Sequence, residues 1–160
     1  MQRVEFMLVR SRTPKSNPET LFQLVAAANH RVTILGADIS LQGNTPANAP
    51  VVFQWFIQTD AGVFGTDPTT LTPQKNDRGY DEAIQTTFNA YDGESGGPPA
   101  TPDATEPTGT TKIAEFSIHE QGIFPWTPRF SFVVKGGERV GFKYARATFV
   151  PVSVTLYCTE

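Results

Sequence analysis

Val150-Pro151-Val152-Ser153-Val154-Thr155-Leu156-Tyr157-Cys158-Thr159 alternates without a break. Val150, Val152, Val154, Leu156 and Cys158 fall on one side, and Pro151, Ser153, Thr155, Tyr157 and Thr159 on the other. Successive side chains of a strand point to opposite faces, so this period of two marks a strand with one buried face. The pattern recurs upstream. Arg31–Leu41 sets Thr33, Leu35, Ala37, Ile39 and Leu41 on one side. Val51–Gln58 sets Val51, Phe53, Trp55 and Ile57 together, and Lys112–His119 does so with Ala114, Phe116 and Ile118. Arg3–Arg10, Thr20–Ala27, Phe130–Lys135 and Arg139–Ala145 are further strand candidates. In Asp81–Tyr91 the apolar residues fit a helix or a strand, and the β-branched pair Thr86–Thr87 favours the strand.

Composition agrees with this periodicity. The 160 residues include 13 Gly and 13 Pro, which disfavour helix interiors, and only 18% are charged, against roughly 25% in average domains. Many short strands punctuated by Gly and Pro predict an all-β fold, an antiparallel β-sandwich or jelly-roll-like domain. We expect residues 1–19 to form an extended N-terminal segment, either an arm or an edge strand. Residues 20–160 are expected to form one sandwich domain with a long loop at 92–111. That loop holds eight of the 26 Gly and Pro residues.

One connection invites a register prediction. With a three-residue turn at Gly136–Glu138, a hairpin would pair Val134 with Val140, Phe132 with Phe142 and Phe130 with Tyr144, all on one face.

The search for chemistry is short. His30, His119 and Cys158 are the only His and Cys residues, and no HExxH, GxSxG or P-loop motif occurs. Cys158 lies in an apolar register, which suits a small buried side chain. His119–Glu120 are strand neighbours and so face opposite ways. Asp92, Glu94, Asp103 and Glu106 lack the ligand alternation of a calcium loop. We therefore expect no enzyme, no metal and no cofactor. Trp55 shares the apolar face of its strand and reads as core. Trp126, between Pro125 and Pro128, reads as a loop or the start of a strand and as a candidate contact residue.

Net charge is −3, unevenly spread: +3 over residues 1–31, −4 over 32–91, −5 over 92–120 and +3 over 121–160. No basic cluster is dense enough for a nucleic-acid footprint. The apolar run near Met1 is short and broken by Glu5, so neither a signal peptide nor a membrane anchor is expected, and synthesis should be cytoplasmic.

A succession of short motifs carries a resemblance. Phe22-Gln23-Leu24-Val25-Ala26 leads through Asn29-His30-Arg31-Val32 to a strand. Gln85-Thr86-Thr87, Glu106-Pro107-Thr108, His119-Glu120-Gln121-Gly122, Trp126 and Gly136-Gly137-Glu138-Arg139-Val140-Gly141-Phe142 follow in order. From about residue 20 to 160 this resembles the small β-rich decoration (cement) proteins of tailed bacteriophages. The resemblance implies a jelly-roll-like subunit, a homotrimer, seated on the exterior of the virion capsid. Its partner would be the major capsid protein, and it would be made in the host cytoplasm. It would stabilise the shell by bridging capsid subunits. The segment before residue 20 and the loop at 92–111 have no counterpart in that pattern.

Within this reading the N-terminal segment is expected to act as a clamp. Arg3, Arg10, Arg12 and Lys15, with Val4, Phe6 and Leu8, would lie on the capsid or a neighbouring subunit, and Trp126 would be a second contact. The alternative is an ordinary first strand of the sandwich. The alternative function is a receptor- or glycan-binding module of a tail or fibre, using Trp126 with Gln121 or Tyr91 with Asp92.

Overall fold

The computed structural model describes residues 4–13, 19–41, 50–60, 62, 69–76, 82–90, 107–118, 122–145 and 150–160. Among these, every regular element is a strand, and the strands form two antiparallel sheets packed face to face. The first sheet holds β1 (Glu5–Arg12), β3 (Val32–Leu41), β6 (Gln74–Lys75), β9 (Gly122–Trp126), β10 (Phe132–Val134) and β12 (Val152–Thr159). The second holds β2 (Glu19–Val25), β4 (Val51–Gln58), β5 (Thr69–Leu71), β7 (Thr87–Ala90), β8 (Gly109–Ile118) and β11 (Arg139–Tyr144).

Strand order shows how the chain is wound. The first sheet runs β10-β3-β12-β1-β6, with β9 also on β3, and the second runs β5-β7-β2-β11-β4-β8. The pairs β1 with β12, β2 with β11, β3 with β9 and β10, and β4 with β8 are nested and alternate between the sheets. The chain thus resembles one long hairpin rolled into a sandwich, the jelly-roll order. The short strands β5, β6 and β7 are inserted between β4 and β8 and extend the outer edges.

The alternation fixes which side chains meet. Val152, Val154, Leu156 and Cys158 of β12 are buried, and the residues between them are partly exposed. Trp55 and Phe53 of β4, Phe22 of β2 and Phe142 of β11 supply an aromatic centre. Phe142 lies 4.6 Å from Trp55 and 5.4 Å from both Phe22 and Phe53, measured between ring centroids. Large rings remove much apolar surface from water, which suits a sandwich core about 10 Å thick.

The predicted hairpin at Gly136–Glu138 does not form. β10 pairs with β3, and β11 pairs with β2 and β4, so the connection passes from one sheet to the other. Lys135 C=O accepts from Glu138 N–H at 2.9 Å, and Gly137 takes φ 80°, which only glycine adopts readily. Gly137 N–H and Glu138 C=O bond the backbone of Ala26 and tie the turn to the end of β2. Val134, Val140, Phe142 and Tyr144 are all buried, but Val134 faces the others across the core. Phe130, expected on the same face, is instead 86% exposed.

The N-terminal segment enters the sandwich as β1, with all eight residues in register along β12, from Glu5 opposite Thr159 to Arg12 opposite Val152. On its other side β6 covers only Phe6 and Met7. Asp81–Tyr91 contributes β7, whose Phe88 is buried. The greater part of the 92–111 loop, residues 92–106, lies outside the described residues.

Candidate functional site

The sandwich is closed on one long side by aromatic residues from two edge strands. β8 ends the second sheet, and β9 and β10 share an edge of the first. Phe116 of β8 stacks between Phe124 and Trp126 of β9, with centroids 5.7 and 5.8 Å away and both interplanar angles 17°. Phe124 and Trp126 face the same way because they are two residues apart on a strand. Trp126 also sits 5.6 Å from the buried Trp55, which meets Phe132 edge-on at 5.7 Å.

Beside this stack lies an open groove of about 850 Å³. Ile57, Ile113, Val140 and Phe132 line its apolar part, and Phe130 stands at its rim. Its polar groups are few. Glu115 accepts from Lys112 Nζ at 2.8 Å and from the Gln54 amide, and these bonds hold its carboxyl below the usual range. Glu138 accepts from Lys135 N–H at 2.9 Å. Arg129 is exposed. Neither Glu138 nor Arg129 has an ion-pair partner among the described residues.

Both edges bordering the groove are unsuited to receiving another strand. The β8 ladder shifts register twice against β4, at Trp55/Phe56 and at Ile57/Gln58. β9 carries Pro125, which has no N–H to offer. Bulges and edge prolines are devices that block edge-to-edge pairing.

A second surface is the outward face of the first sheet. Ser11, Ser153, Ser40 and Ile123 lie in one row across β1, β12, β3 and β9, and Val9, Thr155, Asp38 and Pro125 in the next. Ile123 is 73%, Val9 57% and Leu35 45% exposed. Asp38, the one charge in these rows, accepts from the Tyr157 hydroxyl at 2.8 Å, and that bond raises the pKa of the phenol.

The site residues expected from sequence are not gathered in one place. Arg3 and Lys15 lie outside the described residues, as does the side chain of Arg12. Val4, Phe6 and Leu8 are buried in the chain's own core, with Phe6 edge-on to Phe88 at 6.1 Å, so this apolar face is not available to a partner. Arg10, at 7% exposure, is buried as well, because it shares the inward parity of Phe6 and Leu8. Trp126 lies at the groove and is half-buried. The spacing alone reads Phe116 and Phe130 as inward strand residues and does not single out Phe124; the period-two spacing of Phe124 and Trp126 is the signal that places them together. His119, Glu120, Gln121, Tyr91, Asp92, Glu94, Asp103 and Glu106 lie outside the described residues. Among the described residues no group of three or more His, Cys, Asp or Glu is placed to hold a metal.

Compared with known protein families, curated proteins and solved structures, the chain has no match in any of the three.

Proposed function

We propose that this protein is a structural component of a phage virion that binds the outer surface of the capsid and stabilises the shell by bridging capsid subunits. The observation that carries the reading is the pair of rows on the outward face of the first sheet in which Val9 and Ile123 are exposed and the one charge, Asp38, is bonded within the chain by Tyr157. Depletion of charge at the centre of a patch is the compositional mark of protein interfaces. The motif succession quoted above supplies the phage context.

The size of the face suits a repeated contact. Four strands about 4.8 Å apart and some eight residues long offer on the order of 500 Å². A standard interface uses roughly 800 Å² per partner. One contact of this kind is weak, and a shell that presents many copies sums it. Binding free energy alone then lowers the free energy of the closed shell.

The test is binding of the purified protein to undecorated capsids, read by co-sedimentation and by capsid melting temperature. Binding and a raised capsid melting temperature are expected. Val9→Lys and Ile123→Glu should abolish both while leaving the protein's own stability within about 0.5 kcal/mol. Absence of binding by the unaltered protein overturns the reading. The receptor- or glycan-binding alternative places its ligand against Trp126 in the groove. A glycan array with Trp126→Ala as control separates it from capsid binding.

A further inference from the structure

We propose that the groove between β8 and β10 receives Phe130 of a second copy of this chain. The inference goes beyond the capsid-binding reading and does not rest on it, because it concerns only a contact between copies of this chain.

The groove excludes one kind of guest and favours another. An added strand needs a regular free edge, and the bulged β8 and the proline of β9 deny it one. What remains is a hole for side chains, floored by aromatic and aliphatic groups. A hole of this kind takes an aromatic anchor, the side-chain class that dominates interface energetics.

This chain presents such an anchor itself. Among the described residues Phe130 is the most exposed large apolar side chain, at 86%. The neighbouring Arg129 has no ion-pair partner among the described residues, and Glu138, in the groove lining, has none either. When Phe130 of one copy enters the groove of the next, its Arg129 arrives beside the Glu138 carboxylate, which accepts a backbone N–H but has no cationic partner among the described residues. Knob and hole therefore match in shape class and in charge, and the same surface carries both.

Sedimentation of the isolated protein tests this without any capsid. The unaltered chain is expected to self-associate, and to do so a few-fold more weakly as salt rises, because an exposed charge pair is screened while the aromatic contact is not. Phe130→Ser, at an exposed position, should weaken association by at least about 30-fold. Ser131→Trp keeps the knob but fills the hole, and should be equally weak. A mixture of the two variants holds one intact knob and one intact hole, and should form a heterodimer. Unchanged melting temperatures establish that both variants are folded. A chain that stays monomeric at millimolar concentration, a Phe130→Ser variant that associates normally, or a mixture that stays monomeric overturns the proposal. Failure of capsid binding leaves it standing.

Discussion

Gly141 lies beneath the side chain of Gln58. A Cβ at position 141 would stand 2.3 Å from Gln58 Nε2 and 2.5 Å from Oε1, closer than real atoms approach. Gln58 cannot simply swing aside. It is buried, its Oε1 accepts from Gln23 Nε2 at 2.7 Å, and its own amide donates to Thr20 at 3.3 Å. Gly141→Ala should therefore destabilise the protein by about 1–3 kcal/mol in urea unfolding. Burial pushes the Cys158 thiol far up, so the thiolate is absent at neutral pH. A maleimide or disulfide reagent should leave Cys158 untouched in the folded protein and label it fully in denaturant. Labelling at the rate of a free thiol in native buffer would contradict the buried position. Tyr157 illustrates pH linkage. Its bond to Asp38 raises the folded pKa above the ordinary value of 10.0. The resulting stability is fully present below the unfolded pKa and is lost as pH rises through the folded one. Tyr157→Phe should cost about 1 kcal/mol at neutral pH, and the difference from the unaltered protein should vanish in strong alkali.

At the scale of elements, the legible strands are the long ones. β4 and β12 have eight residues each, enough for a period of two to show. β3 has ten, but its register shift at Tyr157/Cys158 turns Ile34 inward and Leu35 outward, so Thr33 and Leu35 do not share the face of Ala37, Ile39 and Leu41 as the spacing alone predicts. β5 and β6 have three and two, and no period can be read from so few. β9 was obscured by Pro125, which read as a break. On an edge strand the missing N–H faces away from the ladder and costs nothing. The Gly136–Glu138 hairpin misled for a different reason. Alternation says which face a side chain occupies, but two apolar faces can meet side by side in one sheet or across the gap between two. The same parity argument, carried two residues further along β1, would have placed Arg10 inside with Phe6 and Leu8. Of the expected site, Trp126 alone coincides with the groove, because Trp126 ends a strand where the two sheets meet. Trp126→Ala removes its contacts with Trp55 and Phe116 and should lower stability by about 2–3 kcal/mol, read by thermal melting. Glu160 holds the start of β7 by another route. Its carboxylate accepts from the N–H groups of Gln85 and Thr86 and from the Thr86 hydroxyl. Glu160→Ala should speed amide exchange at 85 and 86 while leaving β4 and β11 protected.

For the whole molecule, the nested pairing has a kinetic consequence. β1 finds its partner only when β12 is available, and β2 only when β11 is, so most contacts join distant parts of the chain. Sandwiches of this kind fold in milliseconds to seconds, and we expect stopped-flow refolding in that range and not in microseconds. Deleting residues 2–15 removes a strand of the first sheet, so it would abolish folding before it could report on any clamp. The outward face of β1, with Met7, Val9 and Ser11, is where substitutions can probe binding with the sandwich intact. The pairing also brings Val4 and Glu160 together, each donating its N–H to the other's carbonyl, at 2.9 and 3.0 Å. A backbone circle closed through a few glycines at that point would leave both sheets as they are. It would restrict the unfolded chain and not the folded one, a gain of ring closure that neither the groove nor the outward face would register.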